Sequence, residues 1–165
     1  MTPPSTVTFR PIAPDDMELL FRVYRSTREE ELAMVVDWTA EQKDVFVRQQ
    51  FEAQHVWYQE HYVGAQFDVI LVDGLPAGRL YVHRRPNEIR LVDITLLPEY
   101  RKGGIGTSIL RDLLAEGEAA GKPVTIHVEV YNPAMRLYER LGFRPIEERG
   151  PYRLMEWRPQ LKTAS

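Results

Sequence analysis

The chain has 165 residues, 44% of them hydrophobic, enough for one well-formed core and too few to make two ordinary domains the default. Its 21 Lys and Arg stand against 24 Asp and Glu, a net charge of −3, which excludes a chain-wide attraction to nucleic acid or to an anionic membrane and makes any anion site local. With no cysteine, disulfides, cysteine-ligated zinc and a covalent thiol-acyl intermediate on the protein are excluded as well.

The opening stretch "MTPPSTVTFRPIAPDD" contains no apolar core of signal-peptide length, and no later run is long enough to span a bilayer. The reading is one soluble cytoplasmic domain over residues 1–165. Thr6 to Ile12 predicts a short strand, and Pro14-Asp15-Asp16 supplies turn and N-cap chemistry for a helix carrying Leu19, Leu20, Val23 and Tyr24 on adjoining turns. Thr39-Ala-Glu-Gln42 has capping-box spacing and is followed by a long run without Gly or Pro, which predicts a second helix to about His61.

After Gly64 the pattern changes. The run "FDVILVDGLPAGRLYVHRRPNEIRLVDITLL" is three apolar or alternating segments separated by Asp73-Gly74 and Pro86-Asn87, and predicts an antiparallel meander whose third strand, roughly Glu88 to Leu97, stops at Pro98. From Gly104 the positions Ile105, Ile109, Leu110, Leu113 and Leu114 follow helical spacing, and Gly121 with Pro123 ends that helix. The strand "VTIHVEV" follows, then a short helix from Asn132 to Leu141 closed by Gly142, then a hairpin around Gly150-Pro151. The predicted order is β-α-α-β-β-β-α-β-α-β-β, a mixed α/β fold with helices against one sheet.

The stretch "PEYRKGGIGTSILRDLL" places two cations and three glycines immediately before a helix. Glycines let backbone N–H groups approach an anion without a Cβ in the way, the helix N-terminus adds partial positive charge, and Arg101 and Lys102 add full charge. A glycine cluster also makes a tight strand-to-helix turn, and the cluster alone does not choose between the two. Lys102 precedes the glycines, so this is not the G-x-x-x-x-G-K-[ST] phosphate loop, and no G-x-G-x-x-G opens a parallel βαβ unit. Coenzyme A remains as a diphosphate carrier.

"LLPEYRKGGIG" resembles the R/Q-x-x-G-x-G/A acyl-CoA motif of the GNAT N-acetyltransferase superfamily, with Arg101, Gly104 and Gly106 on its defined positions. "NPAMRLYERLGF", Asn132 to Phe143, is similar to a second segment of that superfamily, one helix and one strand further on. The resemblance implies a central, mostly antiparallel, splayed sheet of about seven strands flanked by about four helices, with acetyl-CoA in the gap where two strands part. It implies that the backbone of Leu96 and Leu97 pairs with the pantetheine arm, that Lys102, Gly103, Gly104, Ile105, Gly106 and Thr107 surround the pyrophosphate, and that Arg101, Asn132 and Tyr138 belong to the cofactor site.

The reaction implied is direct acetyl transfer to a primary amine of a small molecule or peptide, without a covalent enzyme intermediate. It needs a neutral amine, a polarised carbonyl and a proton for the departing thiolate. Tyr138 matches the tyrosine that supplies this proton in many of these enzymes, and otherwise reads as a helix residue packed beside Leu137 and Leu141. Glu129 and Asp93 are rival general bases, with an ordinary ion pair or a water chain to solvent as alternatives. The acceptor pocket is expected among the first two helices and the far face of the sheet, where Phe46, Gln50, Gln54 and Tyr58 recur at i, i+4 and Arg28, Glu29, Glu30 and Trp38 lie near the inter-helix loop. His55, His61 and His83 lack metal-ligand spacing, and no metal is expected. The competing reading is a catalytically silent acyl-CoA-binding sensor or interaction module. No nucleic-acid or membrane partner is expected, and the edge of the C-terminal hairpin is where a second copy would pair in a homodimer.

Overall fold

A computed structural model of the protein describes residues 5–160. The opening residues 1–4, part of the stretch read above as lacking a leader, lie outside it. Contacts divide the chain into two compact units, one reaching to Leu80 and including Ile94–Arg101, the other holding Tyr81–Asp93 and the chain from Lys102 onward. The strands form a seven-stranded sheet of order β1-β2-β3-β4-β5-β7-β6.

The first unit opens with strand β1 (Val7–Pro11), paired antiparallel with β2 (Gln66–Val72) from Val7↔Val72 to Pro11↔Asp68. Between them lie helices α1 (Met17–Ser26), α2 (Glu29–Met34) and α3 (Ala40–His61). Helix α3 starts where the capping box predicts, since Gln42 N donates to Thr39 Oγ1 at 3.1 Å and Thr39 N to Gln42 Oε1 at 2.9 Å. The short helix α2 is additional to the predicted order. Leu20, Phe21, Tyr24, Leu32, Val47 and Phe51 close a core between these three helices, with Phe21 and Phe51 edge to face at 5.8 Å. Strand β3 (Leu75–Arg84) follows β2 through Asp73 and Gly74, whose φ of 51° and 81° are the two positive values of a type I′ hairpin turn.

Asp16 fastens the entry to α1. Its carboxylate accepts from Ala13 N at 2.7 Å and from Arg10 Nη1 and Nη2 at 2.7 and 2.9 Å. The Arg10 hydrogen bonds hold the Asp16 carboxyl below its ordinary range against the opposing effect of burial. A lowered carboxyl pKa contributes stability that is fully present above the unfolded-state value near ~4 and is lost as pH falls through the folded-state value. Asp16→Asn should therefore lower the thermal midpoint at neutral pH and make the acid limb of a stability-versus-pH profile shallower, and an unchanged profile would contradict this.

In the second unit, strand β4 (Ile89–Leu96, of which Ile89–Asp93 belong here) pairs parallel with β5 (Val124–Glu129), Ile89↔Val124 through Leu91↔Ile126. Both strands continue beyond those three pairs, which is the parting that the fold class predicts. On its other edge β5 pairs antiparallel with β7 (Tyr152–Trp157) over its whole length, and β7 pairs with β6 (Arg144–Arg149). Helix α4 (Ile105–Ala120) lies against this sheet through Gly117, where an added Cβ would meet the Trp157 ring at 2.9 Å and Val124 at 3.1 Å. A short helix α5 (Met135–Arg140) stands between β5 and β6. Strand β6 is exposed along its length and carries Pro145 beside a register shift, two features that interrupt a ladder a second copy would need to continue.

Candidate functional site

The glycine turn forms a helix N-terminus that no side chain caps. Gly104 is the N-cap of α4 with φ +83°, a left-handed conformation open to glycine and strained in other residues, and Lys102 two residues earlier is also left-handed at φ +64°. Such a strained non-glycine residue at a turn is a common mark of a functional position. The first backbone bond of the helix is Ser108 N to Gly104 O at 2.9 Å. The N–H groups of Ile105, Gly106 and Thr107 thus stand at the positive end of a 16-residue dipole, with no Cβ at Gly103 or Gly104 to shield them.

Arg101 belongs to the first unit and turns back into it. Its Nε donates to the carbonyl of Leu96 at 2.9 Å, and its Nη2 donates to Ser26 Oγ at 3.0 Å, at the end of α1. Ser26 is buried and in turn donates to Val23 O at 2.6 Å. The guanidinium therefore braces the end of β4 against α1, and Lys102 is the cation that the turn itself presents. Leu97 gives its N–H to Ala77 O at 2.8 Å and accepts from Tyr100 N at 2.9 Å. Nearby, β3 and β4 touch so closely at Gly78 that a Cβ there would sit 2.1 Å from the carbonyl oxygen of Thr95.

Tyr138 and Asp93, far apart in the sequence, both belong to the second unit, where the charge of Asp93 is felt at the Tyr138 phenol. Tyr138 projects from α5, is 4% exposed, and packs edge to face on Phe143 with centroids 5.7 Å apart. Burial, and after it the charge of Asp93, push the Tyr138 phenol above its ordinary range, so the hydroxyl is protonated throughout the physiological range. Asn132 opens α5 with an Asx turn, its Oδ1 accepting from Ala134 N at 2.8 Å.

The two candidate bases lie on opposite faces of the sheet. Strand alternation from the Leu91↔Ile126 pair puts Asp93 on that face, whereas the Arg90↔Thr125 pair and the same alternation put Glu129 with Thr125 and His127. Glu129 is exposed at the end of β5, opposite Tyr152. Its face carries a network that sequence reading missed. Arg90, 9% exposed, donates from Nε to Thr125 Oγ1 at 2.8 Å, from Nη2 to Glu88 Oε1 at 3.2 Å and from Nη1 to His127 Nδ1 at 3.3 Å. An imidazole accepting at Nδ1 is neutral, in keeping with the burial and the Arg90 charge that lower the His127 pKa. No local pattern announces this network, because its partners come from two strands.

The expected acceptor residues are spread from the start of α2 along α3. Arg28 lies over the Tyr24 ring at 5.3 Å and donates to Glu31 at 3.1 Å, next to an exposed Glu29. Trp38 meets Phe46 edge to face at 5.2 Å at the start of α3. Gln54 and Tyr58 lie two to three turns further on, with Tyr58 about 18 Å along the axis from Phe46. There Gln54 Oε1 accepts from the buried Arg79 at 2.8 Å, and Tyr58 packs against Trp57 and Tyr62. Gln50 is exposed.

The model of the acetyltransferase (GNAT) family matches residues 24–143. This chain belongs to the GNAT family. Its fold is similar to that of the PaiA N-acetyltransferase of Thermoplasma acidophilum, solved in complex with coenzyme A: TM-score 0.68, 19% identity, covering 93% of this chain and 99% of that one. It is also similar to the ribosomal-protein-S18-alanine N-acetyltransferase of Escherichia coli, with a TM-score of 0.62 and 18% identity, covering 96% of this chain and 97% of that one. Among curated proteins, 61 residues are 39% identical to the cysteine-rich protein 2-binding proteins of mouse and human. Those residues are 37% of this chain, and the match spans only 8% of the length of either relative. The family so matched is one of acetyltransferases, for which acetyl-CoA is the acyl donor. The residues present fit that donor: an uncapped helix N-terminus entered through Lys102, Gly103 and Gly104 is suited to a pyrophosphate. No helix among the described residues is long and apolar enough to cross a membrane.

Proposed function

We propose that the chain is one catalytic domain that acetylates a primary amine of a small molecule or peptide by direct transfer. The observation that carries this reading is the buried Tyr138 on α5 in the same unit as the uncapped, glycine-entered start of α4. Acetyl-CoA supplies the activated acyl thioester that the amine attacks. The N–H groups of Ile105, Gly106 and Thr107, with Lys102, hold the pyrophosphate, and Asn132 sets the start of the helix that carries Tyr138.

Tyr138 donates its phenolic proton to the departing sulfur. A phenol suits this step because it is protonated before the reaction and needs no prior proton uptake. The proton lost by the amine goes to Asp93 or Glu129 or through a water chain to solvent. Release of CoA thiol from acetyl-CoA, followed across a panel of small amines, amino acids, polyamines, aminoglycosides and short peptides, tests the reading. Acceptor-dependent release supports it. Cofactor binding by calorimetry with release from no acceptor would instead favour the sensor reading.

A further inference from the structure

The corner that runs from α2 through the start of α3 exposes a set of apolar side chains for which the first unit has no use. Leu32 and Val47 point into the helical core, which is complete with them. Around them Met34 is 83% exposed, Val36 81%, Val45 57%, Phe46 41% and Trp38 38%, and Trp38 and Phe46 are held edge to face. Single exposed apolar residues are ordinary, but five within one short stretch, two of them in ring contact, are a concentration of the kind that marks an interaction site.

The charge on this corner selects the partner. Residues 29–46 carry six acidic side chains against one lysine, more negative than the whole chain at −3. Glu31 is answered by Arg28 and Asp44 by Arg48, whereas Glu29, Glu30, Asp37 and Glu41 have no ion pair among the described residues. Helix dipoles favour the acids in the first turns of α2 and α3 but account neither for Asp37 in the loop nor for the apolar residues between. Acids interspersed along a stretch of exposed apolar side chains repel an anionic membrane and attract a cation with an apolar body.

We propose that this corner docks a basic, partly apolar peptide segment, with Trp38, Phe46, Val36 and Met34 covering its apolar residues and Asp37 and Glu41 facing its lysines or arginines. If the N-acetyltransferase reading above holds, that segment carries the acceptor amine. Docking itself does not depend on that reading.

The test uses a rhodamine-labelled short peptide of Lys, Leu and Ser and the same peptide with Glu in place of every Lys, with binding to the full chain read by fluorescence anisotropy. The basic peptide should bind at least ~10-fold tighter than the acidic one, and less tightly as salt is raised. Trp38→Ala and the double variant Asp37→Lys/Glu41→Lys should each weaken it by at least ~10-fold at an unchanged thermal midpoint. Equal binding of the two peptides, or a double variant that binds like the parent, overturns the proposal. So does competition by spermine with no effect of Trp38→Ala, which would give the patch to polyamines, or a concentration-dependent dimer lost in Trp38→Ala, which would give it to a second copy. Peptide binding without thiol release leaves the docking surface standing while the transfer reading falls. Thiol release from small amines without peptide preference does the reverse.

Discussion

Tyr138→Phe should melt like the parent and bind CoA with unchanged affinity, yet release CoA thiol at least ~10-fold more slowly in the presence of an acceptor. The substitution keeps the ring that packs on Phe143 and removes only the hydroxyl. Loss of turnover with retained binding is therefore loss of a proton donor, because the packing that positions α5 survives. The raised pKa has a second consequence. Since burial and Asp93 both favour the protonated phenol, ionisation of Tyr138 should cause no fall in the rate of the parent as pH rises from 7 through ~10. Any limb in that range then belongs to another group. Parent-like turnover in the phenylalanine variant would remove Tyr138 from the chemistry and leave it a packing residue.

Gly104→Ala should weaken CoA binding by at least ~10-fold, measured by calorimetry. An alanine at φ +83° costs roughly 1–2 kcal/mol, and relieving that strain turns the N–H groups of α4 away from the phosphates they would meet. Gly121→Ala is the matched control. Gly121 ends the same helix in the same left-handed region, at φ +65°, and a Cβ there meets nothing within 4 Å. It should lose a comparable amount of stability while keeping its affinity for CoA. If both variants bind like the parent, the turn is a strand-to-helix connection and nothing more. If both lose affinity equally, the loss reports general destabilisation of α4 and the anion seat lies elsewhere.

Much of this protein was legible before its fold was known, and the legible part is local. The capping box at Thr39, the positive-φ turn at Asp73-Gly74, the helix stop at Gly121 and the strand stop at Pro98 each act through residues within a few positions of one another. The glycine turn is of the same kind, because uncapped N–H groups and left-handed residues are properties of one short segment. The acceptor side was much less legible. Gln50, Gln54 and Tyr58 share a helical spacing, but Gln54 meets a buried arginine from β3 and Gln50 faces outward, and periodicity says nothing about what a helix face will find opposite. The short helix α2 also escaped, since six residues with no Gly or Pro boundary leave little periodic signal.

The sequence by itself determined the order of the strands and of every helix but α2, the family resemblance and the position of the glycine turn, because hydrophobic period, capping and backbone permissiveness operate over one or two turns of chain. Tertiary structure alone decided which side chains meet. Arg101 holds the Leu96 carbonyl and reaches Ser26, 75 residues before it, Asp93 and Glu129 fall on opposite faces of the sheet, and Arg90 finds Thr125 and His127. Those pairings follow from sheet order and strand register, and a shift of one residue in register would exchange the faces of Asp93 and Glu129.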